Sequence, residues 1–238
     1  MYKKISILFL LAILFKTADA QMAIGGRAVY IGGKLGVNVT TVGKNPGVFM
    51  GSFGVNKKDK ERGYDVSGRF KAGIQAGVIL DFPATEKLSV QPGVIFSQYG
   101  CRMKVDATSS EIMKASVTLN YIQIPLTFQH KKERIRSARL IQAGPYIGMG
   151  LGGKLKEKYT ENGKLTYSGG WQIPMGGNKE IYDYQRLDFG ISAGFGYQFR
   201  SVQAVASYNF GLNNINMKSS KFSPRVYNSG VSLTLTFL

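Results

Sequence analysis

One cysteine, one histidine and one tryptophan occur in 238 residues, and that scarcity removes whole classes of chemistry. Cys101 alone cannot build an internal disulfide framework, and a small buried or lumen-facing residue is the expected role for it. With His130 as the only histidine, a zinc site or a Ser-His or Cys-His pair has too few parts. His130 also stands beside Lys131 and Lys132, where a solvated side chain is expected. Acidic residues are scarce too: 14 Asp and Glu face 31 Lys and Arg, for a formal net charge of +17. Such a surplus calls for anionic surroundings. No nucleic-acid motif accompanies it, so phosphorylated lipid headgroups are the expected counter-charge. No stretch beyond residue 20 approaches 18 consecutive apolar residues, so any membrane crossing is not made with helices. Gly190, Gly194 and Gly196 lie inside a strand pattern and not before a helix, so they form no nucleotide fingerprint.

Residues 1–20 read as a secretory signal peptide: a basic Met1-Tyr2-Lys3-Lys4, an apolar run from Ile5 to Phe15, and a small-x-small site at Ala18-Asp19-Ala20. An apolar run of that length is too short to cross a layer about 30 Å thick as a helix. Removing residues 1–20 takes away Lys3, Lys4, Lys16 and Asp19 and lowers the charge from +17 to +15. Residues 21–238 are then expected to form one domain.

What is abundant is glycine, at 30 residues, with 13 tyrosines and 14 phenylalanines, a composition for strands and turns. Alternation with period two predicts eight strands, at 28–42, 69–82, 88–103, 116–130, 138–152, 184–200, 203–216 and 226–238. In RLDFGISAGFGYQFR (186–200), Leu187, Phe189, Ile191, Ala193, Phe195, Tyr197 and Phe199 share one face. Short turns follow strands two, four and six: 83–87, 131–137 and the Ser201-Val202 pair. Longer connections follow the others: 43–68, 104–115, 153–183 and 217–225. This alternation predicts an eight-stranded antiparallel up-and-down barrel with both termini on the short-turn side. KYTENGKLTY (158–167) predicts a hairpin turning at Asn162-Gly163 and rising above the barrel. A ten-stranded ring is the alternative.

The apolar face could point to lipid or, as in a soluble lipocalin-like carrier, inward. The non-apolar face is mostly Gly, Ser, Thr, Asn and Gln, which suits a crowded narrow lumen better than a surface meeting bulk water. Aromatics sit at both ends of the apolar face: Phe82, Phe128, Phe199 and Phe237 toward the short turns, and Phe70, Phe96, Phe189 and Tyr227 toward the long loops. Ten residues separate Phe189 from Phe199. At about 3.3 Å per residue and a tilt near 40° that is roughly 25 Å, the height of an apolar band between aromatic girdles. The chain also ends in an alternating VSLTLTFL, with an aromatic next to last. A transmembrane barrel is therefore expected, with short periplasmic turns and long extracellular loops. Pro92, Pro125 and Pro145 oppose this reading, because a closed barrel has no edge on which to hide a missing N–H.

GGKLGVN (32–38), LSVQPGVIFSQYG (88–100), LNYIQIPLTF (119–128), AGPYIG (143–148), LDFGISAGFGY (187–197) and SYNFGLNNI (207–215) occur in this order. Together they resemble the PorT-like outer-membrane β-barrel family of Bacteroidetes over nearly the whole mature chain, the ordered set being specific where no single motif is. The resemblance implies an eight-stranded barrel in the outer membrane, inserted by the barrel-assembly machinery. The founding member of that family is linked to type IX secretion and gliding. Relatives commonly carry acidic residues where Gly93 and Gln123 stand and an arginine where Ser207 stands, so an interior ion-pair cluster typical of the family is expected to be missing. Lys34, Lys71, Arg186 and Asp188 are candidates for a different lumen charge network.

No cofactor, metal or catalytic constellation is expected. The leading expectation is a non-enzymatic, porin-like outer-membrane barrel with a side-chain-filled lumen, whose loops contact surface polysaccharide or other envelope proteins. Lys44, Lys57, Lys58, Lys60 and Arg62, then Lys154, Lys156, Lys158 and Lys164, are assigned to those loops. Lys57, Lys58, Lys60 and Arg62 are the candidate lipopolysaccharide contacts. A secretion-system accessory and a periplasmic carrier of an apolar ligand are the alternatives.

Overall fold

A computed structural model describes residues 21–24, 27–42, 65–106, 111–134, 137–176, 185–215 and 226–238. The leader assigned to 1–20 and the candidate contacts Lys57, Lys58, Lys60 and Arg62 lie outside the described residues. Ten strands run in chain order: β1 (Gln21–Ile24), β2 (Arg27–Val42), β3 (Asp65–Pro83), β4 (Leu88–Asp106), β5 (Glu111–Arg134), β6 (Ser137–Glu161), β7 (Lys164–Ile173), β8 (Leu187–Phe199), β9 (Val202–Gly211) and β10 (Asn228–Phe237). Every pairing is antiparallel. The path β2-β10-β9-β8-β6-β5-β4-β3 closes through β2 and β3, making an eight-stranded ring. β7 pairs only with β6, and β1 folds back on the start of β2.

The ring is sheared. With the flanking register continued across the unpaired Gly93–Pro125 and Gly211–Asn228 steps, a circuit begun at Gly32 passes Ile79, Gly93, then Pro125, Tyr146, Gly190 and Gly211, and reaches β10 at Asn228, which pairs with Val42. The circuit thus returns to β2 ten residues further along, a shear number of 10. With eight strands this requires the strong strand tilt of about 35–45° found in narrow closed barrels. Such a lumen has room only for small or interlocking side chains. A Cβ on Gly194 would stand 2.6 Å from the Ala206 carbonyl oxygen and 2.7 Å from Ser207 Oγ.

The prolines are accommodated together. Pairing between β4 and β5 skips from Pro92–Leu126 to Ile95–Gln123, and pairing between β5 and β6 skips from Pro125–Tyr146 to Phe128–Ala143. Pro92, Pro125 and Pro145 therefore lie at or beside two neighbouring interruptions of the ladder, where the missing donors break few bonds.

The strands on one side reach further than alternation suggests. Residues 104–106 and 111–115 belong to β4 and β5, and most of 153–173 belongs to β6 and β7, so these connections are largely hairpin and not loop. Charged side chains on one face of these extensions interrupt the apolar rhythm without interrupting the backbone ladder. The β6–β7 turn falls at Asn162 and Gly163, both with positive φ (51° and 77°), as a type I′ turn requires. The turn between β8 and β9 is Arg200-Ser201 and not Ser201-Val202, with Arg200 at φ 52°.

Candidate functional site in the lumen and on the loop-side face

Side chains from alternate positions divide cleanly between the two faces of the ring. Leu35, Val37 and Val39 of β2, Ile191, Phe195 and Tyr197 of β8, and Val231, Leu233 and Leu235 of β10 are all exposed on the outside. Their neighbours Asn38, Thr40, Ser232, Thr234 and Thr236 are buried inside. Phe70, Phe128, Phe189, Phe199 and Phe237 are exposed, Phe82, Phe96 and Tyr227 are half-buried, and all eight lie on the outer face. The carrier alternative, which needs the apolar face inward, is thereby corrected.

Inside, polar side chains interlock near the short turns. Gln129 is fully buried and donates to Gln142 Oε1 (3.3 Å) and Gln203 Oε1 (3.4 Å). Gln203 donates back to Gln129 Oε1 (3.2 Å) and to Gln198 Oε1 (3.1 Å), and Gln91 donates to Gln129 Oε1 (3.2 Å). Gln91 also reaches Gln203 Oε1 at 3.5 Å, from β4 across the lumen to β9. Gln142 donates to Ser207 Oγ (3.4 Å). Beside this mesh Lys131 Nζ lies 2.9 Å from Asp81 Oδ2, with the aspartate almost wholly buried.

Toward the long loops the lumen changes character. Gln123 donates to the Tyr99 hydroxyl (3.1 Å), Tyr99 and Tyr121 meet edge to face at 5.9 Å, and Asn228 donates to Asp188 Oδ2 (2.9 Å). Above them Cys101, Met103, Val117, Leu119, Leu155, Ile173, Met175, Ile215 and Val226 form one apolar core. Asn213 and Asn214 hold the segments that supply it: Phe189 N–H donates to Asn213 Oδ1 (2.8 Å) and Val226 N–H to Asn214 Oδ1 (2.7 Å). The loop-side mouth is thus closed by hydrocarbon. On the inner face of the β6 extension, burial pushes the Glu157 carboxyl above the usual carboxylate range.

The four residues expected to share a lumen charge network do not form one. Asp188 is held by Asn228. Arg186 Nε donates to the Met175 carbonyl (2.7 Å) and pins the segment after β7. Lys34 occupies an inward position of β2, paired with Gly77 and Thr236. Lys71 leaves its expected side because the β3–β4 register shifts between Phe70 and Gln75, and its ammonium reaches Ser116 Oγ (3.1 Å), the Val117 carbonyl (3.0 Å) and Thr118 Oγ1 on β5. Sequence reasoning missed the Asp81–Lys131 pair and the glutamine mesh. The available signal was glutamine at inward parity near the short-turn ends of β4, β5, β6, β8 and β9. Gly93, Gln123 and Ser207 do face inward, and the last two are hydrogen-bonded by neutral partners. Among the described residues, no group of three or more His, Cys, Asp or Glu side chains is arranged to hold a metal ion.

An apolar outer surface spread over eight strands far exceeds the few hundred Å² that a monomer exposes to water, so its natural solvent is lipid. The family comparison agrees: the model of the outer membrane protein beta-barrel domain matches residues 18–216. The chain belongs to the outer membrane protein beta-barrel domain family. No curated protein matches it. Among solved structures, LpxR from Salmonella typhimurium is 10% identical over 86% of this chain and 99% of that one, with a TM-score of 0.24, too low to carry an argument.

As an outer-membrane barrel, the molecule has a readable boundary on its loop side. Outward residues are apolar up to Phe96, Ile122 and Leu151. The Gln98–Asn120 hydrogen bond (3.1 Å) follows, and then charged side chains. On the outer face, Val39, Phe70, Tyr208, Phe210, Leu212 and Tyr227 line a groove of about 700 Å³.

Proposed function

We propose that this is a non-enzymatic outer-membrane barrel that contributes to envelope structure or surface interaction through its extracellular hairpins and not through a lumen pathway. The observation that carries this reading is the filled lumen: a glutamine mesh joins β4 to β9 across one end, and an apolar core closes the other. The chain is proposed to be exported by its leader and inserted by the barrel-assembly machinery. The protruding β6–β7 hairpin supports a contact role, because Tyr159, Tyr167 and Trp171 follow one another along it at ring separations of 5.8 and 6.5 Å with Tyr167 and Trp171 exposed. Rigid, half-exposed aromatics of this kind are good anchors for a protein or sugar surface.

The test is conductance. Folded barrel in planar bilayers is expected to give no ion current above the protein-free membrane. Steady current through single insertions would overturn the reading. The same hairpin favours, as the second reading, an accessory of type IX protein secretion of the kind the PorT-like resemblance implies. Normal secretion of type IX cargo after deletion of the gene would remove that reading.

A further inference from the structure

Above the apolar band, β3 to β7 continue as a sheet with two unlike faces. Its inner face carries the apolar core that closes the mouth. Its outer face is cationic: Arg102, Lys114, Lys154, Lys156 and Lys158 are exposed there, alternating with the buried Cys101, Ala115, Val117 and Leu155. Register sets these cations in rows. Gly100, Thr118 and Lys154 form the lowest; Arg69, Arg102, Ser116 and Lys156 the next; Lys114 and Lys158 the third. At about 6.6 Å of strand between rows and a tilt near 40°, they stand about 5, 10 and 15 Å above the Gln98–Asn120 boundary. That is the depth of lipid headgroups.

Two features go against a merely solvated surface. Arg69 is directly opposite Arg102, and Lys114 directly opposite Lys158, and like charges in that relation destabilise a sheet. The second feature is Lys71. From β3 its stem crosses β4 over Gly100, where a Cβ would lie 2.9 Å from Lys71 Cδ, and its three donors end on Ser116, Val117 and Thr118 of β5. Arg102 and Lys156 each act on that ammonium as a further like charge. The Ser116 and Thr118 oxygens accept from Lys71, which leaves their own hydroxyl protons for other acceptors, and Ser116 stands in register between Arg102 and Lys156. Donors and positive charge converge on one place where, among the described residues, no Asp or Glu acts on the Lys71 ammonium.

We infer that the outer face of this extension binds the phosphorylated headgroup of an outer-leaflet glycolipid. Arg102, Lys156 and the Ser116 hydroxyl contact phosphate, and Lys71 acts as the positioning residue behind them. The acyl chains of the same molecule lie on the apolar face directly below, beside Phe96 and Ile122. This continuity selects a lipid over a free anion. The inference rests on the membrane-barrel reading but not on the absence of a lumen pathway.

The experiment uses the mature chain refolded in a neutral detergent, with folding verified by the mobility difference between heated and unheated samples. Thermal unfolding is followed with and without purified lipopolysaccharide, lipopolysaccharide stripped of its phosphates, and inorganic phosphate. Wild type is expected to be stabilised by the phosphorylated glycolipid alone. R102Q/K156Q is expected to bind it at least about tenfold more weakly, the loss of a charge-assisted contact. The same variant is expected to unfold at a higher temperature than wild type in detergent without glycolipid, because the repulsion has been relieved. A purely structural role for these side chains would not produce opposite signs in the two conditions. Equal glycolipid stabilisation of wild type and R102Q/K156Q would overturn the inference, as would equal stabilisation of wild type by dephosphorylated glycolipid or by inorganic phosphate. Failure of the membrane-barrel reading would instead show as loss of the mobility difference in wild type itself.

Discussion

Leu233→Arg is expected to destabilise the folded barrel by about 2–4 kcal/mol, whereas Phe237→Arg on the same face of the same strand is expected to cost about 0–1 kcal/mol. Leu233 is exposed on the outer face of β10, roughly midway between Tyr227 and Phe237. A guanidinium there meets the centre of the hydrocarbon, where neither water nor a headgroup is within easy reach. At position 237 the side chain can extend into the interface. In a soluble barrel with this face in water, both replacements would be nearly neutral or favourable. Urea unfolding in phospholipid vesicles, read by gel mobility, measures the difference. Similar costs at the two positions would contradict the assignment of the apolar band.

Asp81→Ala is expected to cost about 2–3 kcal/mol, less than the 3–5 kcal/mol of a fully buried broken pair because Lys131 retains some access to solvent. The variant leaves an ammonium at the rim of the glutamine mesh with no carboxylate beside it. In Asp81→Ala/Lys131→Met neither charge remains, and the cost is expected to fall below that of Asp81→Ala alone. The same vesicle unfolding reads the cycle. A double variant as damaged as the sum of the single variants would show that the two residues act independently.

The outer face was legible because a single physical rule governs it. Every outward side chain within the band meets hydrocarbon, so period two survives in Phe70 to Phe82, Leu187 to Phe199 and Tyr227 to Phe237 without needing to know any partner strand. The extensions were less legible. Lys154, Lys156 and Lys158 read as loop because they break the apolar rhythm, yet the ladder to β5 and β7 continues through them. Outside the membrane the outward face is charged, so a strand is marked only by its apolar inner face and its hydrogen-bond ladder.

The lumen contacts depended on information that no local pattern carries. A shear of ten residues decides that Gln91 and Gln203, 112 positions apart, come within reach of each other. Lys71 shows how one irregularity changes a role. Parity placed it in the lumen with Arg186 and Asp188, but the displaced register after Phe70 carries its ammonium onto β5. Arg186 and Asp188 share the expected parity without sharing a bond, because a backbone carbonyl and Asn228 are the nearer partners.

The orientation of the apolar face relative to lipid is the central claim, and the single tryptophan makes it directly measurable. Trp171 lies on the β6–β7 hairpin above the band, so in vesicles of lipids brominated along their acyl chains the wild-type fluorescence should remain close to that in unbrominated vesicles. In Trp171→Phe/Phe195→Trp the indole replaces an exposed outer-face side chain of β8, and strong quenching by the same lipids is expected. An unquenched tryptophan at position 195 in folded, vesicle-inserted protein would contradict the account.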